Sequence, residues 1–381
     1  MSFKFSFEVD RGGISSNEND PSGIPNPSVE SATCGNLTSD SVNGSNQLSS
    51  LTYHPIMDLS SQYKDVQFSD VHLCHSSSNM RKSYEDSLRR IISTKKSQFD
   101  IMEDGGKTDL IPGVYEGGLK VWECSIDLCR YLSSQCKAME NGMPNDVQRA
   151  LSDGGSTLEL GCGQGLPACF ILREIIAQDE EASLSSAKEV SPHVWFTDYN
   201  SFVLRDVTMP NIWLNANQKM RSVAPGKNTT SFFKDIVTLI SGDWLQLSTA
   251  MLTKTLDVSC QPPEESNGFV DINLDCRVPE YGRFDLILAS ETTYTSKSAQ
   301  DTATLMMRHL KFESGVGLVA MKRYYFGVGG GSDAFRDLAT NQKMVFNNIT
   351  YGLKLELVEE YKDGISNIRD LWSVRCVRKD K

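Results

Sequence analysis

Seven short apolar runs are spaced along the carboxyl-terminal two thirds of the chain, and stretches of helical periodicity separate most of them. The runs are STLEL (156–160), VWFTD (194–198), IVTLI (236–240), FDLILAS (284–290), VGLVAMK (316–322), LELVEEY (355–361) and LWSVRCV (371–377). Most are short and rich in Val, Ile, Leu or Phe, as expected of strands buried on both faces. Between them lie ACFILREIIAQ (168–178), SFVLRDVTMPNIWLNAN (201–217), SAQDTATLMMRHLK (298–311) and DAFRDLATNQK (333–343), all read as helices. An earlier helix is predicted over VWECSIDLCRYLSSQ (121–135), with Trp122, Ile126, Leu128, Cys129 and Leu132 clustered on one side. Strands alternating with helices predict right-handed crossovers and a mostly parallel sheet. The last two runs are linked by YKDGISN, turn chemistry with no room for a helix, so they are expected to pair antiparallel at one edge. The pattern is an α/β fold: a seven-strand sheet with an antiparallel last strand.

The amino-terminal part has another texture. Ser, Asn, Gly and Pro make up 26 of the first 50 residues, too little apolar surface to offset the entropy of ordering them. Residues 1–55 are therefore expected to be mostly disordered, residues 56–106 to form an extension with one short charged helix (83–98), and residues 107–381 to form the folded domain.

Charge and cysteine usage narrow the function classes. The net charge is −11, which disfavours DNA as a partner and suits a basic protein. No run of apolar residues is long enough to span a membrane. The opening MSFKFSFEVDRGG lacks the basic-then-apolar layout of a secretory signal. The ten cysteines are accordingly read as reduced thiols of a cytoplasmic and nuclear protein. His72-x-Cys74-His75 carries metal-capable side chains without a partner cluster, so no metal site is expected.

The first strand runs directly into Gly161-Cys162-Gly163-Gln164-Gly165 and then a helix. Glycines at alternate positions let backbone turn sharply and approach a ligand closely in front of a helix N-terminus. A dinucleotide site expects G-x-G-x-x-G, whereas here the third glycine comes one residue early. Glu159 precedes the loop, Asp198 ends the second strand, and Gly242-Asp243-Trp244 follows the third. Carboxylates at the carboxyl ends of parallel strands face the ligand crevice, where they suit a cation better than a pyrophosphate. Asp198 is placed to accept from ribose hydroxyls, and Asp243 with Trp244 to hold a purine. The bland alternative is a glycine turn that binds nothing.

The pattern Glu-x-Gly-x-Gly-x-Gly resembles the first motif of seven-strand methyltransferases that use S-adenosyl-L-methionine. More specifically, DLIPGVYEGGLKVWECSIDL (109–128), LELGCGQGL (158–166), FTDYNSFVL (196–204), SGDW (241–244), DLILASETTY (285–294) and KRYYFGVGGG (322–331) resemble the histidine protein methyltransferase family. The likeness covers about residues 107–378 in order and spacing. It implies a Rossmann-like methyltransferase sheet and a cofactor pocket of Lys120, Val121, Trp122, Glu123, Cys124, Gly161, Asp198, Tyr199, Asn200, Gly242, Asp243, Trp244 and Ser290. Glu159, Gly163 and Gly165 join that set through the glycine motif. It further implies methylation of one histidine of a large-subunit ribosomal protein, before or during ribosome assembly.

A neutral imidazole is already a nucleophile, so the chemistry needs positioning and an acceptor for the second ring N–H rather than a strong base. Glu291, at the end of the fourth strand, is the expected acceptor, with Tyr294 as a positioning hydroxyl. The alternative for Glu291 is a helix cap. Phe326, Gly327 and Gly329 lie in a glycine-rich segment after the fifth strand, expected to be flexible and to fold over substrate. Tyr325 is expected either to stack on the substrate ring or to be a core aromatic, and Trp122 is open between core and pocket wall. A lysine methyltransferase of the same superfamily, or a cofactor-binding module without transfer, are the competing functions.

Overall fold

In the computed structural model the strand runs assemble into one open, ten-stranded sheet. The structure describes residues 52–53, 67–68, 73–74, 117–118, 121–140, 143–151, 154–182, 192–223, 236–253, 259–260, 278–362 and 368–379. Expectations for residues 1–51, the helix at 83–98, and the side chains of His72, Cys74 and His75 lie outside the described residues.

In chain order the elements that build the site are as follows. Strand β1 is Thr52–Tyr53, α1 Glu123–Lys137, β2 Ser156–Leu160, α2 Leu166–Ala182 and β3 His193–Asp198. Then come α3 Met209–Val223, β4 Val237–Ser241, α4 Trp244–Thr253 and β5 Ser259–Cys260. Next are β6 Leu286–Ser290, α5 Ser296–His309, β7 Val316–Lys322 and α6 Ser332–Thr340. The chain closes with β8 Lys343–Phe346, β9 Ile349–Lys362 and β10 Ile368–Arg378.

The sheet order is β8-β9-β10-β7-β6-β2-β3-β4-β1-β5. Strands β2, β3, β4, β6 and β7 run parallel, while β10 lies antiparallel between β7 and β9. All seven predicted strands are present, and the antiparallel last strand is as expected. The two-residue strands β1 and β5 extend one edge, with Thr52 opposite Ser241.

Side chains alternate between two apolar layers. Leu286, Leu288, Leu318 and Ala320 face α1, α2 and α3, through residues such as Leu128, Ile171 and Ile212. Leu158, Leu160, Ile287, Val319 and Met321 face α4, α5 and α6, through Met251, Met306 and Phe335. Removing one such fully buried side chain, for example Leu128→Ala, costs about 2–5 kcal/mol. Among the described residues, no helix is long and apolar enough to cross a membrane.

Three elements depart from the sequence reading. Helix α4 was hidden behind the SGDW motif; Asp243 Oδ1 caps it by accepting from the amides of Leu245 and Gln246, at 2.9 and 3.0 Å. Helix α6 stops at Thr340, and Lys343–Phe346 turns back as β8 through Asn347 and Asn348, both at positive φ (49° and 62°), which suits a tight hairpin. The stretch 201–217 is interrupted by a π-helical turn, Leu204–Thr208, which places the Thr208 hydroxyl under the glycine loop.

Candidate active site

The loop after β2 takes its shape from three glycines at positive φ: Gly161 (57°), Gly163 (52°) and Gly165 (68°). At Gly163 a Cβ would sit a tight 3.0 Å from the Cα of Gly118, on top of the strain of a positive φ. Polar contacts hold the loop from below. Thr208 Oγ1 donates to the Gly163 carbonyl at 2.6 Å, and Asn211 Nδ2 donates to the Gln164 carbonyl at 2.9 Å and to its Oε1 at 2.7 Å. Asp198, at the tip of β3, accepts from the Gly163 amide (3.0 Å) and from the Asn200 amide and side chain (2.9 and 3.2 Å). The loop is thus pre-formed, with its open side toward a hollow.

Ten of the residues singled out from the sequence line that hollow: Trp122, Gly161, Gly163, Gly165, Asp198, Tyr199, Trp244, Ser290, Glu291 and Tyr294. Gly118, Ser125, Cys162, Gln164, Leu166 and Thr292 line it as well. Of these, Cys162 and Gln164 were legible as the spacers of the glycine motif; Ser125 and Thr292 carried no signal apart from their neighbours. The Trp244 indole N–H is buried beside the hollow with no acceptor among the described residues.

The other expected pocket residues lie elsewhere, and Lys120 lies outside the described residues. Val121 packs against the core from its edge. Asn200 is buried and serves Asp198, while the Gly242 amide donates to the Asp198 carbonyl at 3.0 Å. Asp243 caps α4, so holding a purine is not its observed task.

Glu159 is the largest departure. Its carboxylate, 1% exposed, points under the loop, where Oε2 accepts from the Ala168 amide at 2.9 Å and Oε1 has no partner among the described residues. The strand alternation that sends Leu158 and Leu160 to one layer sends Glu159 to the other. Burial raises its pKa to about 8 despite that amide, with Asp198 adding to the rise. Glu159 therefore holds a proton at neutral pH and braces the start of α2 instead of lining the hollow.

Glu291 is different in kind. It sits at φ 56°, a left-handed conformation that strains a non-glycine residue, and its amide donates to the Ala320 carbonyl at 2.9 Å. Four residues on, the Thr295 side chain caps α5 in a capping box with Ser298, fixing the other end of the segment that carries Tyr294. The Glu291 side chain is 7% exposed and lies against the hollow. Oε2 accepts from the Tyr325 hydroxyl; Oε1 has no hydrogen-bond partner among the described residues and lies 3.6 Å from Lys322 Nζ. Lys322 also lies 3.6 Å from Glu123, at the exposed start of α1, and 5.1 Å above the Trp122 ring. Burial opposes its charge, but Glu291 and Glu123 outweigh that and raise its pKa above the usual lysine value. Cys124, fully buried beside Glu291, stays a thiol, its pKa pushed well up by burial and by that carboxylate.

The glycine-rich segment after β7 is pinned rather than flexible. The Gly331 amide donates to the Thr293 carbonyl, and the Ser296 hydroxyl donates to the Gly329 carbonyl, both at 2.9 Å. At Gly330 a Cβ would come within 2.1 Å of the Thr293 carbonyl oxygen, so glycine here serves close backbone packing. Phe326 (77% exposed), Gly327 and Gly329 stand at the surface, whereas the Tyr325 ring is tucked in with its hydroxyl committed to Glu291.

No family model matches the chain. In sequence it is 31% identical over 265 residues to the Histidine protein methyltransferase 1 homolog of Dictyostelium discoideum, covering 70% of this chain and 60% of that one. It is 30% identical over 263 residues to the homolog of that name from Mus musculus, covering 66% and 56%. The Histidine protein methyltransferase 1 of Saccharomyces cerevisiae is 28% identical over 273 residues, covering 64% and 62%. The chain therefore spans 56–62% of the length of these relatives. Among solved structures, an O-methyltransferase family protein from Burkholderia thailandensis aligns at 8% identity over 65% of this chain and 55% of that one, with a TM-score of 0.31.

Proposed function

Because the chain is a sequence relative of the histidine protein methyltransferases over about two thirds of its length, we propose that it transfers a methyl group from S-adenosyl-L-methionine to a protein histidine. The observation that carries the reading is Glu291: a buried carboxylate in a strained turn, beside the glycine loop, with one oxygen left without a hydrogen bond among the described residues. The residues suit a cationic nucleoside donor. Asp198 brings a carboxylate to the wall of the hollow, the Trp244 N–H, without an acceptor among the described residues, offers a donor, the bare glycine backbone admits a flat group, and Glu291 supplies negative charge. When bound, this cofactor supplies an electrophilic methyl carbon whose bond to sulfur breaks, the electron pair leaving with sulfur, as the nucleophile's lone pair forms the new bond.

The chain's own part is alignment and charge. An imidazole has an unperturbed pKa near ~6.5 and is mostly neutral at pH 7, so no strong base is required to make it a nucleophile. Glu291 Oε1 accepts the N–H of the non-reacting ring nitrogen, which selects the tautomer and offsets positive charge as it develops on the ring. That proton then passes to water, leaving a neutral methylated ring. Tyr294, on the same short segment, lines the hollow and positions the substrate. A lysine substrate would first have to lose a proton from its ammonium, a task for which a carboxylate already paired with Lys322 is poorly suited.

The proposed substrate is one histidine of a large-subunit ribosomal protein, met before or during ribosome assembly in the cytoplasm or nucleus. The motif resemblance supports it, as does the net charge of −11, which favours a basic partner. The test is transfer of labelled methyl groups to the proteins of a cell lysate lacking this chain, followed by hydrolysis and amino-acid analysis. Labelled methylhistidine in a large-subunit ribosomal protein is expected. Methyllysine would replace the reading with the lysine enzyme, and cofactor binding without transfer would replace it with a binding module.

A further inference from the structure

We infer that Tyr324, Phe326 and Val328 form a fixed apolar platform on the rim of the hollow, which docks an aromatic or aliphatic side chain of the substrate protein a few residues from its target histidine. The inference rests on the transfer reading above and goes beyond it, since it names what is recognised besides the histidine.

The three side chains stand on the loop that joins β7 to α6, and they are 55%, 77% and 46% exposed. A lone exposed apolar residue needs no explanation, but three within five positions make a patch. The Tyr324 and Phe326 rings are tilted at 34° with centroids 6.5 Å apart, too far to be stacked on each other, so each keeps a face bare. At Gly327, between Phe326 and Val328, a Cβ would meet nothing within 4 Å. The tip stands clear of the fold.

Its neck makes it a platform rather than a lid. The Arg323 amide donates to the Ile368 carbonyl at 2.8 Å, and its Nε donates to Asp370 on β10 at 3.0 Å. The Arg323 carbonyl accepts from the Ser332 amide at 3.1 Å, closing the base of the loop. With Gly331 tied to Thr293 and Gly329 to Ser296, both limbs are held while the apolar tip is left out. A surface already ordered loses little entropy when a partner binds.

The occupant follows from where the platform sits. Tyr325, between Tyr324 and Phe326, turns inward and bonds Glu291, which lines the hollow. Gly329 is tied to Ser296, two residues beyond Tyr294, which lines it too. Platform and hollow are thus continuous, and a polypeptide spanning about 3.3–3.6 Å per residue reaches from one to the other within a few residues. The bare side-chain area is on the order of 300 Å², well under the ~800 Å² per partner of a stable protein pair. That suits one or two side chains of a passing substrate and not a dimer of this chain. The net charge of −11 draws basic proteins without distinguishing their histidines; an apolar neighbour distinguishes them.

The experiment uses the full chain with Tyr324→Ser, Phe326→Ser, the two combined, and Val345→Ser as control, an apolar residue 67% exposed on the edge strand β8. All are surface changes that leave the fold intact. Fluorescent 13-residue peptides of Gly, Ser and Lys around a central histidine carry one Phe at each position in turn, and anisotropy measures their binding in the presence of S-adenosylhomocysteine. Phe at one or two positions should tighten wild-type binding roughly tenfold. Each platform variant should lose that gain, Val345→Ser should keep it, and all should bind S-adenosylhomocysteine as the wild type does. In the lysate assay the platform variants should need about tenfold more protein for half-maximal transfer, at an unchanged maximal rate. A wild type that favours no Phe position, or a gain that survives the combined variant, overturns the proposal. So does a wild-type dimer in sedimentation that Phe326→Ser dissociates, which would give the patch to a second copy. If the gain appears and is lost as expected while no methylhistidine forms, the platform stands and the transfer reading fails instead.

Discussion

Replacing Glu159 by Gln should make the ligand-free protein more stable at mildly alkaline pH, although it alters the first acid of the glycine motif. The carboxyl group is 1% exposed and its pKa is raised from the usual 4.5 to about 8, chiefly by burial. A carboxyl group raised on folding contributes stability that is full below pH 4.5 and is lost as pH climbs to about 8, because the unfolded chain releases the proton first. The slope is about 1.4 kcal/mol per pH unit, or about 4 kcal/mol between pH 5 and pH 8. Glutamine removes that slope. Its carbonyl can still accept from the Ala168 amide, while its NH2 falls where Oε1 already lacks a partner, at a constant penalty of about 1–3 kcal/mol. Urea unfolding of wild type and Glu159→Gln at pH 5, 6, 7 and 8 isolates the residue, since all other titrations cancel in the difference. The variant should begin less stable at pH 5 and overtake the wild type before pH 8. A difference that stays flat with pH would show that Glu159 is ionised in the native protein and would refute the account of why it sits under the loop.

Other expectations follow the same logic. Asp198→Ala strands the buried amides of Gly163 and Asn200, so calorimetry should find cofactor affinity lost together with about 2–4 kcal/mol of stability; unchanged affinity would place the ligand elsewhere. His309 is fully buried between the Gly282 carbonyl (2.6 Å) and the Ser248 hydroxyl (2.8 Å), and burial lowers its pKa to about 4. Its folded form binds fewer protons than the unfolded chain, so stability should fall by about 2 kcal/mol from pH 6.5 to pH 5 in wild type, and this component should vanish in His309→Gln. Gly330→Ala must push the loop off Thr293 and should lower transfer at least tenfold, whereas Gly327→Ala meets no neighbour within 4 Å and should cost only about 1 kcal/mol for its positive φ. Transfer by Gly330→Ala at the wild-type rate would dissociate that loop from catalysis.

Much of this arrangement was legible beforehand because parallel strands buried on both faces leave unbroken apolar runs, and open α/β sheets place ligands at their carboxyl ends. The glycine loop, Asp198, Trp244 and Glu291 were found by those two facts. Direction was harder to read than position. Glu159 and Asp243 end or follow strands as the other acids do, yet one turns under the loop by strand alternation and the other caps α4. The Lys322–Tyr325–Glu291 contacts join segments more than thirty residues apart, which no local period encodes. Strand β8 was missed although its Asn347-Asn348 turn was in plain view, because the preceding helical pattern ran on into it.

The position of β10 has a consequence for how the sheet comes apart. This strand is inserted between β7 and β9, and its Arg369 reaches back to Asp127 on α1 at 2.5 Å. In the sheet, β8 and β9 join the parallel strands only through β10, so its release frees the whole antiparallel edge and takes an ion pair from α1 at the same time. Local opening on that side is therefore a cooperative event, with β9 and β10 exchanging their backbone protons as one unit.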